Sequence, residues 1–244
     1  MLQAPGRHLQ SVAQASFDAW VRFYRPDANT PNSTISYYAK GALVALCLDL
    51  TLRSEGQTTL DDVMRALWTR CGAGPLTEDD VAAVLAELGG RSFEPELAAW
   101  VHGTQELPLE SLLTAHGGEG AQDPSPLAQA RGLRVDETQG IRIKVVLDGG
   151  PAALAGLAAD DEWLGLEVPP AEPRRQKSAA APSAWRLQRL DDIPLYAGPA
   201  REVTALVARD QRLLRLPLTL PVPGTTWRLA PRKEPGSASS WPGR

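Results

Sequence analysis

Apolar positions recur at helical spacing in the first half of the chain and alternate in the second. Leu9, Val12, Ala13, Phe17, Trp20, Val21 and Tyr24 fall three or four residues apart, which lays them on one face of a helix. Arg25-Pro26 ends that run, because proline removes a backbone donor and disfavours helix at the residue before it. After a polar loop over 27–34, a second helix is predicted over about 36–53. Its apolar residues (Ala42, Leu43, Val44, Leu46, Leu48, Leu50) surround it, which places it in the middle of a bundle. Thr59 with Asp62, and Thr77 with Asp80, each pair a side-chain acceptor with an early negative charge, the signal of a helix start. Gly89-Gly90 closes the second of these helices, and two shorter ones are predicted near 94–101 and 109–116.

The period then changes. Residues 117–126 are rich in Gly, Asp, Pro and Ser and predict a joint, so the helical subdomain is set at 1–117, a linker at 118–126 and a second domain at 127–222. Ile141, Ile143 and Val145 alternate with Arg142 and Lys144, as in a strand with one buried face. Residues 187–190 read the same way, as does the run holding Leu214, Leu216, Leu218 and Leu220. Between them, 168–185 has no periodicity and predicts a long inserted loop, while 223–244 predicts a disordered tail. The fold class expected is α+β: an N-terminal α-helical subdomain followed by a β-barrel domain with two helices.

Composition narrows the chemistry. The 244 residues carry 25 basic and 29 acidic side chains, a net charge of −4, which leaves no electrostatic footprint for nucleic acid or an anionic membrane. The longest apolar stretch, over 41–52, is interrupted by Asp49 and falls short of the roughly 20 residues a membrane span needs. No signal peptide is visible, so the expectation is no membrane partner and, by default, the cytoplasm. Cys47 and Cys71 read as small core residues rather than a disulfide framework. Only three histidines occur, His8, His102 and His116; none has another four residues on and none is followed by Glu, so no metal or other cofactor is expected in this chain. Asn32-Ser33-Thr34 satisfies the glycosylation rule, a short pattern that also arises by chance. Neither a phosphate-binding G-x-x-x-x-G-K-[ST] loop nor a G-x-S-x-G elbow is present.

One segment of the second half is more specific. Gly149-Gly150-Pro151-Ala152-Ala153-Leu154-Ala155-Gly156-Leu157, followed by Ala158-Ala159-Asp160-Asp161, resembles the G-S-P-A-x-x-A-G-L-x-x-G-D signature of bacterial PDZ domains, with Gly150 for the usual Ser and Asp160 for the late Gly. The resemblance implies a PDZ-like barrel that takes an extended peptide or protein C-terminus as an added strand. By it, Arg131-Gly132-Leu133 is the carboxylate loop, and Leu133, Arg134 and Val135 form the strand edge that meets the ligand. A helix over about 199–209, with Val203, Leu206 and Val207 inward, is the other wall. Read from the residues alone, Val203 and Leu206 serve equally as core. Arg131 stands where that loop usually has an apolar residue and could add a charge partner for a carboxylate.

The helical half resembles the glycyl aminopeptidase family of zinc metallopeptidases, which carry a thermolysin-like catalytic domain followed by a PDZ domain. The matching blocks include Phe17-Asp18-Ala19-Trp20, Phe23-Tyr24-Arg25-Pro26-Asp27, Tyr37-Tyr38-Ala39-Lys40-Gly41 and Gly103-Thr104-Gln105-Glu106-Leu107-Pro108. In such enzymes H-E-x-x-H and a downstream Glu hold zinc, and that motif is absent here; in the family it precedes the tyrosine block. The resemblance therefore implies a chain that begins after the zinc ligands, with a missing N-terminal half of the same protein as a partner and zinc only in a full-length homologue. It also implies that Tyr38, with Tyr37 as fallback, donates to the oxyanion of the tetrahedral intermediate. The alternative for both tyrosines is packing or hydrogen bonding inside the bundle. Lys40 is expected to pair at the surface.

Three functions remain open at this level. The chain is the C-terminal portion of a metallo-aminopeptidase-like protein and inactive alone, or a stand-alone peptide-binding adaptor without catalysis, or a remnant whose uncovered apolar surface makes it aggregate.

Overall fold

The computed structural model describes residues 3–72, 74–124, 126–170, 182–222 and 225–231. A 3-10 turn, Pro5–His8, leads into α1 (Val12–Phe17), whose first turn is closed by reciprocal bonds between Ser11 and Gln14. A π-helical turn, Ala19–Phe23, precedes α2 (Thr30–Ser33), α3 (Tyr37–Ser54), α4 (Leu60–Cys71) and α5 (Glu78–Gly89). Then come α6 (Glu94–Leu97), a second π turn at Ala98–His102, and α7 (Leu109–Ala115). The Thr59/Asp62 and Thr77/Asp80 pairs make full capping boxes at the starts of α4 and α5, as their spacing predicts. The core of this half gathers Cys47, Leu52 and Val63 around Leu85, Phe93 and Trp100. Burial pushes the Cys47 thiol up to about 11, in keeping with its reading as a small apolar residue.

The first segment departs from expectation. It is not one helix, and the face expected inward points out: Phe17 is 90% and Trp20 80% exposed, and Leu9, Val21 and Tyr24 are exposed too. Ala15 and Ala19 face the core instead. The π turn holds an extra residue, so the 3.6-residue phase that lined the apolar residues up is lost at Ala19–Phe23. Helix α3 also keeps part of its surface open, at Ala42 and Leu46, while burying Val44, Cys47, Leu48 and Leu52.

In the second half, β1 (Gly118–Pro124) is followed by α8 (Leu127–Arg131), β2 (Leu133–Asp136), β3 (Ile141–Val146) and α9 (Pro151–Leu154). Next come β4 (Glu162–Val168), β5 (Ser183–Arg186), α10 (Asp192–Ala197), β6 (Glu202–Arg209), β7 (Arg212–Thr219) and β8 (Thr225–Pro231). Six strands form one sheet in the order β2-β3-β4-β6-β7, with β5 alongside β4. All pairings are antiparallel. Ile141, Ile143, Trp163, Leu166, Ile193 and Leu218 fill the core beneath it.

Several expectations need correction here. The barrel is an open sheet, since β2 and β7 end it without pairing to each other among the described residues, and three short helices accompany it rather than two. Residues 199–209 are not a helix: Val203, Leu206 and Val207 belong to β6, paired on both sides, with Val203, Ala205 and Val207 inward at every second position. Leu187 and Leu190 are buried, but in the connection between β5 and α10 rather than in a strand. The joint expected over 118–126 contains β1, which pairs along its whole length with β8, inside the expected tail. Such a ladder rests on backbone hydrogen bonds, which Gly- and Asp-rich composition does not advertise. The loop expected over 168–185 is trimmed by β4 and β5; residues 171–181, like the tail from 232 on, lie outside the described residues.

The PDZ-signature segment behaves as its residue types require. Pro151 starts α9, Ala152 is fully buried, and Gly156 leaves the helix with φ 81°. Asp160, in the place of the signature's late glycine, has φ 68°, a left-handed conformation that Asp tolerates better than most side chains. At Gly150 a Cβ would meet Arg131 O and Leu147 O at 3.2 Å, so the loop is packed closely against α8 at the position where the signature has Ser.

Candidate functional site

The three tyrosines of the helical half meet at the N-terminus of α3. Ser36 caps that helix by accepting from Ala39 N–H, which places Tyr37 and Tyr38 in its first turn, at the positive end of an 18-residue helix. Their rings stack at 4.2 Å, and Phe23 meets Tyr37 edge-on at 5.2 Å. The hydroxyl of Tyr24 lies 3.1 Å from that of Tyr37 and 3.2 Å from that of Tyr38. This bond raises the Tyr37 phenol well above its ordinary value of 10.0 and lowers that of Tyr38. The three hydroxyls thus form one relay centred on Tyr24, and in each bond either hydroxyl can be the donor. The Tyr38 side chain is 61% exposed and so open to a group outside.

One turn further on, Lys40 is 2% exposed, and its Nζ has no hydrogen-bond partner among the described residues. The expected surface pairing is therefore wrong. Desolvation lowers its pKa from 10.5, opposed by the nearby Glu106 charge. Glu106 already takes Arg7 Nε at 2.7 Å and has His8 Nε2 at 3.3 Å.

The expected peptide-binding residues do not come together as one groove. Gly132 ends α8 in the left-handed region at φ 71°, as a loop glycine should, but its N–H donates to Gln129 O and its carbonyl accepts from Leu147 N–H. Arg131 is 3% exposed and folded back, with Nη1 donating to Leu127 O at 3.0 Å, and burial lowers its pKa. The geometry holds it away from the surface role of a carboxylate partner. Leu133, Val203 and Val207 lie in the sheet core, whereas Leu206 borders a separate cavity. Arg134 is exposed and Val135 half-buried on β2, an end strand with one unpaired edge. Sequence reading missed two helices of this half, α8 and α10; in α10 Ile193 and Ala197 are buried. Six residues with Pro194 among them are too short for periodicity to reveal; the available signal was Asp192, which accepts from Gln188 and Arg189 N–H.

The two regions adjoin through Asn32. Its side chain donates to Val146 O at 2.9 Å and accepts from Asp148 N–H at 3.0 Å, as a backbone peptide would. Leu147, between those two, is the residue bonded to Gly132. Asn32 is thus buried at a junction, four residues before the cap of α3.

The histidines do not assemble a zinc site. His8 faces Glu106, His102 Nε2 lies 2.6 Å from Glu78, and His116 Nδ1 meets Leu112 O. Among the described residues no group of three His, Cys, Asp or Glu could hold a metal ion. No helix among them is long and apolar enough to cross a membrane.

Comparison with known proteins bears on the same residues. The family model for M61 glycyl aminopeptidase matches residues 1–44, the segment that holds Tyr24, Asn32, Tyr37, Tyr38 and Lys40. Among solved structures, the crystal structure of an aminopeptidase N family protein from Idiomarina loihiensis superposes with a TM-score of 0.77 at 27% identity, over 95% of this chain. The chain spans 40% of the length of that protein. No curated protein matches. A peptidase-like relation is thereby supported.

Proposed function

We propose that this chain is the C-terminal portion of a metallo-aminopeptidase-like protein, with Tyr38 as its contribution to peptide-bond cleavage. The observation that carries this reading is the phenol relay at the start of α3, within the segment that the M61 family matches. When a peptide carbonyl is attacked, its oxygen becomes an oxyanion, and a donor placed for that oxygen lowers the barrier. In this reading Tyr24 donates to Tyr38, which leaves the Tyr38 proton to be given, and the lowered pKa of Tyr38 makes it the stronger donor of the pair. Tyr37, whose proton is held by Tyr24, positions the relay. No group among the described residues fits a zinc ion, and in this reading the chain by itself binds no zinc tightly and turns over no amide. The exposed strip around Phe17 and Trp20 is the surface that the remainder of a longer protein would cover.

The sheet half, in this proposal, is a PDZ-like module that receives peptide C-termini or substrate along the unpaired edge of β2. The stand-alone adaptor is the second reading, favoured by that same open edge. Metal analysis and glycyl-anilide turnover on the purified chain test the first: one zinc per chain with turnover overturns it. A titration of phenol absorbance tests the relay. One phenol is expected to ionise below 10.0 and another well above it, with the split collapsing in Tyr24→Phe. A library of peptides with free and amidated C-termini tests the module. Saturable binding weakened by amidation supports it, and no binding to any peptide sinks it.

A further inference from the structure

A cavity of about 310 Å³, near the lower end of the range for small-molecule sites, opens between β5 and the β6–β7 pair. Leu164, Leu206 and Leu213 give it apolar walls. Leu164 and Leu206 are half-buried between fully buried neighbours, and Leu213 is exposed, so these side chains add little to the core. Gly165 pairs with both Arg186 and Leu206, which puts those two on the cavity's face, whereas Trp185 pairs with the buried Leu166 and turns its ring to Tyr196 on the core side.

The charge at the cavity is one-sided. Arg215 borders it, but its guanidinium already meets Glu167 at 3.2 Å, which neutralises that pair. Arg186, next to Trp185, also borders it, is exposed, and has no ion pair among the described residues. An apolar bowl with one free guanidinium is complementary to a monoanion with an apolar tail, and the planar fork of arginine fits a carboxylate with two parallel bonds. We propose that this cavity binds a small apolar monocarboxylate, its alkyl or aryl group among Leu164, Leu206 and Leu213 and its carboxylate on Arg186. Neither the tyrosine relay nor the β2 edge takes part, so the site stands apart from the reading above.

Calorimetric titration of the full chain with sodium decanoate, below its micelle threshold, tests this, with decanol and decylamine as controls. The expected result is one saturable decanoate site, tighter than decanol by tenfold or more, and no decylamine binding. Arg186→Glu is expected to weaken decanoate at least tenfold and to leave decanol unchanged. Leu213→Glu, at an exposed position, is expected to weaken both. The proposal is overturned if decanoate shows no saturable site on the folded chain. It is equally overturned if decanoate and decylamine bind alike and Arg186→Glu changes neither.

Discussion

The sheet half and the first forty residues handle apolar side chains in opposite ways. In β3, β4 and β6 the alternating residues all find the interior: Ile141, Ile143, Trp163, Leu166, Val203 and Val207 are buried. In the segment from the 3-10 turn to α3, the large residues Phe17, Trp20 and Val21 lie in solvent, and alanines make the contact with the bundle. A strand in a sheet has its partner strands and core face specified together, because reversing the side-chain alternation would put its polar set inside. A helical segment has no such constraint: its apolar stripe states only that a partner is wanted, and nothing among the described residues supplies one. An exposed patch of this kind marks an interaction surface or an aggregation liability.

Breaking a buried charge in the sheet half has the largest expected effect. Asp161 is fully buried and accepts from Arg209 Nε at 2.6 Å, Arg209 Nη2 at 2.8 Å and Ala158 N–H at 2.9 Å. Asp161→Ala strands Arg209 and should cost about 3 kcal/mol in urea unfolding. Next is the joint between the halves. Asn32→Ala leaves Val146 O and Asp148 N–H without their partner, an expected loss of about 2 kcal/mol accompanied by faster amide exchange at Asp148.

Lys40 sharpens the contrast from the other direction, since replacing it should stabilise. Its folded-state pKa lies below 10.5, so in the window between the two values the unfolded chain holds more protons than the folded one. Stability therefore rises as pH climbs through that window, and the burial penalty is fully present below it. Lys40→Met is expected to add about 1 kcal/mol at neutral pH and to flatten that alkaline rise. An unchanged melting temperature together with an unchanged slope would contradict the burial of a strained amine. The smallest effect belongs to the exposed strip. Phe17→Ser with Trp20→Gln should shift stability by no more than about 0.5 kcal/mol, while reducing self-association in sedimentation runs. A large loss of stability would mean the strip is packed after all.

Much of the local structure was legible. The Thr59 and Thr77 caps, the stop at Gly89-Gly90, the small helix at Pro151 and the alternation of β3 all depend on neighbours within a few residues. Tyr37 and Tyr38 could be picked out by resemblance, but not the relay, because Tyr24 belongs to an earlier segment and reaches them only through the turn between. The β6 segment was misread because Val203, Leu206 and Val207 fit a helical face as well as a strand, and only pairing with β4 and β7 decides between them. The same holds for β1 and β8, a hundred residues apart in the chain and invisible to any local pattern.

Sequence alone settled what short-range physics controls: where most helices of the first half start and stop, and which residues seek burial. Tertiary structure decided the rest. It alone buried Lys40 and Arg131 against expectation, spent the Gly132 N–H on a helix end, and set Asn32 between the halves. It also left the aromatic strip uncovered. These outcomes depend on which distant groups meet, and a polar side chain's partner, unlike its wish for one, is written in no local run of residues.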